Sequence, residues 1–147
     1  MKLAFLLTIL TSGLILSAAA ADTNSTGVIQ FNNDTVSAAF AKGGVTLIKT
    51  NNFKVMAGRR VMPGEVEIHE KDTDVFYITE GSATFVTGGT AVKPHPTDPG
   101  EIRASEITGG EAHHLTKGDV IIIPNGVPHQ FTEVSGTFLY FVVKVSK

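Results

Sequence analysis

The chain of 147 residues contains no cysteine. Disulfides and thiolate metal ligands are therefore excluded, and so is a lipid-modified cysteine behind an N-terminal leader. Outside the cytoplasm such a fold has packing and hydrogen bonds to hold it, with a bound metal as the one remaining staple. Charge of one sign is also scarce. The formal net charge is −2 and no basic run stands out, so nucleic acid and anionic membrane surfaces are poor matches as partners. The sequence has no nucleophile elbow, no phosphate-cradling glycine loop and no paired Ser/His/Asp signature. It has no internal repeat and no low-complexity segment. No pattern in it names a substrate.

What is present starts with a stretch of secretory character. Lys2 precedes an apolar run over 3–16, broken by Thr8, Thr11, Ser12 and Gly13 and followed by Ser17, Ala18, Ala19, Ala20 and Ala21. A charged start, an apolar middle and a small-residue cleavage site predict a signal peptide over residues 1–21. A bilayer anchor would need about 20 apolar residues. The expectation is a secreted or periplasmic protein with no membrane in its mature form. Its mature length of about 126 residues suits one domain with one core.

Residues 22–44 read as a leader and a short helix, with Asp34 as a cap and Gly43-Gly44 as its stop. From 45 to 147 the pattern changes to short strands between Gly, Pro and Asn turns. Strands are expected over 45–48, 53–56, 59–62, 65–69, 74–80, 83–87, 112–115, 120–123, 130–133 and 137–145. Residues 93–100 carry Pro94, Pro96 and Pro99, cannot form a central strand, and read as a surface loop. The segments 120–123 and 138–143 are apolar on both faces, which suits a double-layered or closed sheet. The fold class is all-β, a sandwich or barrel with one short helix.

Two segments carry chemistry. In the first, Glu65, Glu67 and His69 alternate with Val66 and Ile68, so the polar three share a face. A polar turn follows, and Asp74 can return to that face on the antiparallel neighbour. In the second, Gly118-Asp119 leads into an apolar strand, Pro124-Asn125-Gly126 reverses it, and His129 opens the next strand. If His129 faces inward, Phe131 and Glu133 share its face, while Phe76 and Ile78 share that of Asp74. These groups are metal ligands or a paired acid and base; otherwise the carboxylates are solvated strand residues and His69 is a satisfied core histidine. Among the other histidines, His95 sits among prolines, and His113 and His114 face opposite ways on one strand. Either Arg59 or Arg60 can turn inward toward a carboxylate or a sugar-like ligand, the alternative being two solvated arginines.

The two segments resemble the paired motifs of the cupin superfamily. The later one matches from Gly118 through Pro124 and Gly126 to His129, with Glu133 where the family often has Asn. In the earlier one His69 and Gly81 match, Glu67 stands where a first histidine is expected, and Asp74 where a glutamate is usual. The resemblance covers roughly residues 45–145. It implies a single-domain cupin β-barrel, of double-stranded β-helix or jelly-roll type, over 45–147. It also implies a divalent metal at the barrel centre held by Glu67, His69, Asp74 and His129. With two carboxylates beside two imidazoles, Mn, Fe, Ni and Zn are all chemically admissible. The implied activity is oxygenase, isomerase or lyase chemistry on a small polar molecule. The alternatives are a non-catalytic small-molecule binder or sensor, and a structural barrel without metal. The resemblance further implies a homodimer paired through strand edges.

Overall fold

The computed structural model describes residues 27–147, and the expected signal peptide lies outside them. A short helix, α1 (Asn33–Ala41), comes first. Its N-cap is Asn32, whose Oδ1 accepts from the Thr35 backbone N–H at 2.9 Å, so the cap lies two residues before the expected Asp34. Gly43, at φ +88°, takes the left-handed conformation that closes the helix.

Eleven strands follow: β1 (Val45–Lys49), β2 (Phe53–Arg60), β3 (Val66–His69), β4 (Asp72–Thr87), β5 (Thr90–Val92), β6 (His95–Asp98), β7 (Glu101–Ala104), β8 (Glu106–Thr108), β9 (Glu111–Thr116), β10 (Val120–Ile123) and β11 (His129–Ser146). Two of them organise the rest. The long β4 and β11 pair antiparallel along most of their length, from His129↔Thr87 to Ser146↔Asp72. Outside this spine β2 and β3 join β11, β9 and β10 join β4, and β7 and β6 extend the sheet from β3. All these pairings are antiparallel, and β5 and β8 form a separate ribbon. The expected pairs of strands 74–80 with 83–87, and 130–133 with 137–145, are thus each one bent strand. In β4 the bend comes at Gly81, φ +77°, where a Cβ would collide with the Thr137 carbonyl oxygen. In β11 the pairing shifts register between Ser135 and Leu139.

The curled sheet closes over a core of Phe76, Ile78, Phe85, Leu115, Ile123, Phe131, Phe138, Tyr140 and Val142. Alternation along β11 explains it, since Phe138, Tyr140, Val142 and Lys144 all point inward. Helix α1 packs outside β1 and β2, with the Phe40 and Phe141 ring centroids 5.2 Å apart.

Three expectations are corrected. Residues 95–98 form the exposed edge strand β6, where a proline is tolerated because one side of the strand has no partner. Strand β10 is not buried on both faces: among the described residues it pairs with β4 alone, and Val120 and Ile122 are each 59% exposed. Glu133 does not share the inward face of His129. A bulge between Phe131 and Glu133 reverses the alternation, and Glu133 turns out to accept from Thr84 Oγ1 at 2.8 Å.

Candidate metal and ligand site

Inside the barrel a cavity of about 580 Å³ is walled by Phe76, Phe85 and Phe131 on one side and by charged side chains on the other. Strand register brings the charged groups together. Glu67 lies opposite Arg103, and His69 opposite Glu101, across β3 and β7; Glu67 also faces His129 at the start of β11. Asp74 lies opposite Lys144 across β4 and β11.

His129 is buried, and its Nδ1 lies 3.0 Å from the Val127 carbonyl. That carbonyl can only accept, so Nδ1 carries the proton and Nε2 presents a bare lone pair. Among the described residues this Nε2 is buried without a hydrogen-bond partner, with Asp74 Oδ2 3.9 Å away. Burial is the main cause that holds the imidazole below the usual histidine value, and the neighbouring His69 adds to it. The ring is therefore neutral, the state in which a histidine ligates.

His69 is equally buried, its ring centroid 5.1 Å from that of His129. Its Nε2 lies 3.6 Å from Glu67 Oε2 and 3.4 Å from Asp74 Oδ2. On the far side of the ring, Glu101 Oε2 lies 2.7 Å from Nδ1, a close polar contact whose alignment falls short of a hydrogen bond. A carboxylate behind a histidine keeps the proton on the outer nitrogen and leaves the inner one as donor to an ion.

Glu67, His69 and His129 each offer one donor atom, and the three atoms lie within 4.8 Å of one another. With the bare Nε2 of His129 aimed among them, this set fits a divalent ion held by two imidazoles and one carboxylate. Asp74 reaches the same place but is engaged otherwise. Both of its oxygens accept from Lys144 Nζ, at 2.9 and 2.7 Å, and the same ammonium lies 2.6 Å from His69 Nε2. Burial acts to raise the Asp74 pKa, yet the charge of Lys144 and its hydrogen bonds to both carboxyl oxygens outweigh it and hold the carboxyl below its ordinary value. Asp74 is thus a buried, ionised partner of a lysine.

Arginines complete the wall. Arg60 donates to Glu67 Oε1 at 3.2 Å and lies 4.9 Å from the Phe131 ring centroid, so of the two candidates it joins a carboxylate. Arg103 contacts Glu101 at 3.3 Å and Glu67 at 3.8 Å. Tyr140 borders the cavity, and burial raises its pKa, keeping the phenol protonated as a donor. Away from the cavity, His113 bonds Thr87 Oγ1 at 2.9 Å, while His114 and His95 are exposed.

Lys144, Glu101 and Arg103 had not been anticipated. For Lys144 a signal existed: in β11 it is the charged residue at an inward position of an otherwise apolar alternation. Glu101 and Arg103 carry no such mark, because β7 meets β3 across some thirty residues of intervening chain.

No protein-family model matches the sequence, and no curated protein does. Solved structures do. The BH2720 protein of Bacillus halodurans is 15% identical over 86% of this chain and 87% of its own, with a TM-score of 0.57. KdgF of Halomonas sp. is 14% identical over 71% of this chain and 77% of its own, at 0.52. The DMSP lyase DddQ of Ruegeria pomeroyi is 17% identical over 71% of this chain and 47% of its own, at 0.51. The match spans 51% and 21% of two further structures. At such identities the likeness carries the fold and not the activity. With the curled antiparallel sheet, it shows that this protein has the cupin fold.

Proposed function

We propose that this protein is an exported cupin that binds a divalent metal through Glu67, His69 and His129 and takes a small polar molecule into the same cavity. The observation that carries the reading is the bare, buried Nε2 of His129, facing His69 and Glu67 at the wall of a 580 Å³ cavity. Two imidazoles and a carboxylate admit Mn²⁺, Fe²⁺, Ni²⁺ or Zn²⁺. When bound, such an ion would act as a Lewis acid on an oxygen of the ligand. The protein's own groups orient that ligand. Arg60 and the protonated Tyr140 offer donors, and Phe76, Phe85 and Phe131 exclude water from one side. Oxygenase, isomerase or lyase chemistry on a small polar molecule would suit this arrangement.

The test is elemental analysis of the protein purified without chelator or affinity tag, beside the double variant His69→Ala/His129→Ala. Near-stoichiometric metal in the wild type, lost in the variant, is the expected result. Metal absent from the wild type after incubation with each of the four ions would overturn it.

A second reading, a non-catalytic binder that needs no metal, is favoured by one observation. The ammonium of Lys144 already neutralises Asp74 within the site. Turnover of a metabolite panel by metal-loaded protein would decide for the enzyme. Export belongs to the proposal too, and fractionation of the native host would check it. So does pairing with a second copy, for which the exposed row of Tyr77, Val120 and Ile122 on β4 and β10 offers apolar surface. Sedimentation of the purified protein measures that.

A further inference from the structure

We infer that Lys144 is a resident cation that stands in for the metal, so that a divalent ion enters the barrel only as the ammonium leaves His69. The inference rests on the metal-binding reading above and concerns what opposes that binding.

Geometry supplies the first argument. Lys144 Nζ lies 2.6 Å from His69 Nε2 and 2.7 and 2.9 Å from the Asp74 oxygens, so one ammonium gathers an imidazole and a carboxylate as an ion would. The His69 lone pair can accept a proton donor or bind an ion, and not both at once. The position is built into the sheet. Lys144 is the direct cross-strand partner of Asp74 and follows Phe138, Tyr140 and Val142 on the inward face of β11. Its side chain is only 9% exposed.

Charge supplies the second. The ion-paired groups of the site are Glu67, Asp74 and Glu101 against Arg60, Arg103 and Lys144. Counted by themselves, these six balance. A divalent ion added beside the ammonium would leave two uncompensated positive charges in a partly buried place, where like charges repel more than they do in bulk water. If the lysine is removed, the same ion meets an excess of one negative charge, and Asp74 becomes free to serve as a fourth donor. The chain therefore brings four donors together, with Asp74 Oδ2 3.4 Å from His69 Nε2 and 3.9 Å from His129 Nε2, and Lys144 is the group that holds the fourth.

The experiment is isothermal titration of chelator-stripped, untagged protein with ZnCl₂ and, separately, MnCl₂, comparing wild type, Lys144→Met and Asp74→Asn/Lys144→Met. The double variant removes the buried pair together, so it remains informative if the single variant fails to fold; circular dichroism checks both. The expected result is at least about 10-fold tighter binding in Lys144→Met than in wild type, a ratio worth about 1.4 kcal/mol. A smaller gain is expected in the double variant, which lacks the fourth donor. The melting temperature should respond to micromolar Zn²⁺ more in the variants than in wild type. Equal or weaker binding in both variants would overturn the inference and leave the metal site standing. No binding by any of the three proteins would overturn both.

Discussion

The two long strands of the barrel, β4 and β11, lie side by side yet have unlike ends. Toward Gly81 their inward residues are Phe76, Ile78, Phe138 and Tyr140, an aromatic and aliphatic core joined by Phe85 and Phe131. Toward the other end the same alternation delivers Asp74 and Lys144, both buried and paired with each other. Only about two residues along each strand separate a dry core from an ion pair. Parity sets what points inward, and the side chain at each inward position sets whether that place stabilises the fold or serves chemistry. Burial of apolar rings stabilises outright, whereas the buried pair offsets its own desolvation and little more.

The comparison can be broken from the apolar end first. Phe85 is fully buried, with its ring centroid 4.3 Å from that of Phe131 and 5.5 Å from that of Phe76. Phe85→Ala should lower the unfolding free energy by about 3–5 kcal/mol, read by urea denaturation, through lost burial and the cavity left behind. A loss under 1 kcal/mol, roughly the scale of a surface change, would mean that this end is not the core.

At the polar end the loss should depend on what remains. Lys144→Ala strands the Asp74 carboxylate and should cost about 3–5 kcal/mol, whereas Asp74→Asn/Lys144→Met removes both charges and should lie well closer to wild type. Equal losses in the two variants would show that stranding the Asp74 carboxylate is not what destabilises the fold. The same denaturation series measures both.

A smaller effect follows from His129. Its folded pKa is lowered from 6.5 mainly by burial, so the native state resists a proton that the unfolded chain accepts. Stability should be level in this respect above about pH 6.5 and should fall as pH drops from there toward the folded value, by at most about 1.4 kcal/mol per pH unit. His129→Gln should flatten that part of the profile. An unchanged slope would assign it to another group. As a reference outside both ends, Asn32→Ala removes the cap of α1 and should cost about 1 kcal/mol without altering metal binding.

Much of this was legible in residues. The Gly118–Gly126 turns set where β11 begins, the cupin resemblance implied an inward His129, and the structure buries it. Glu67 and His69 sit two residues apart on one strand and do share a face toward the cavity. Where alternation was extended past an irregularity, it failed: the bulge after Phe131 turned Glu133 outward, and no local pattern announces such a bulge. The apolar run of β10 was read as doubly buried, although a strand's hydrophobicity cannot show whether it ends as an edge.

The amino-acid sequence by itself determined the strand periodicity, the turns, the mainly β character and the shared face of Glu67 and His69. These follow from steric preferences acting over a few residues. Only the tertiary structure decided that Lys144 meets Asp74 and His69, partners 70 and 75 positions away along the chain. Register between distant strands is a property of the closed barrel, and moving it by one residue would send that ammonium to the outer surface.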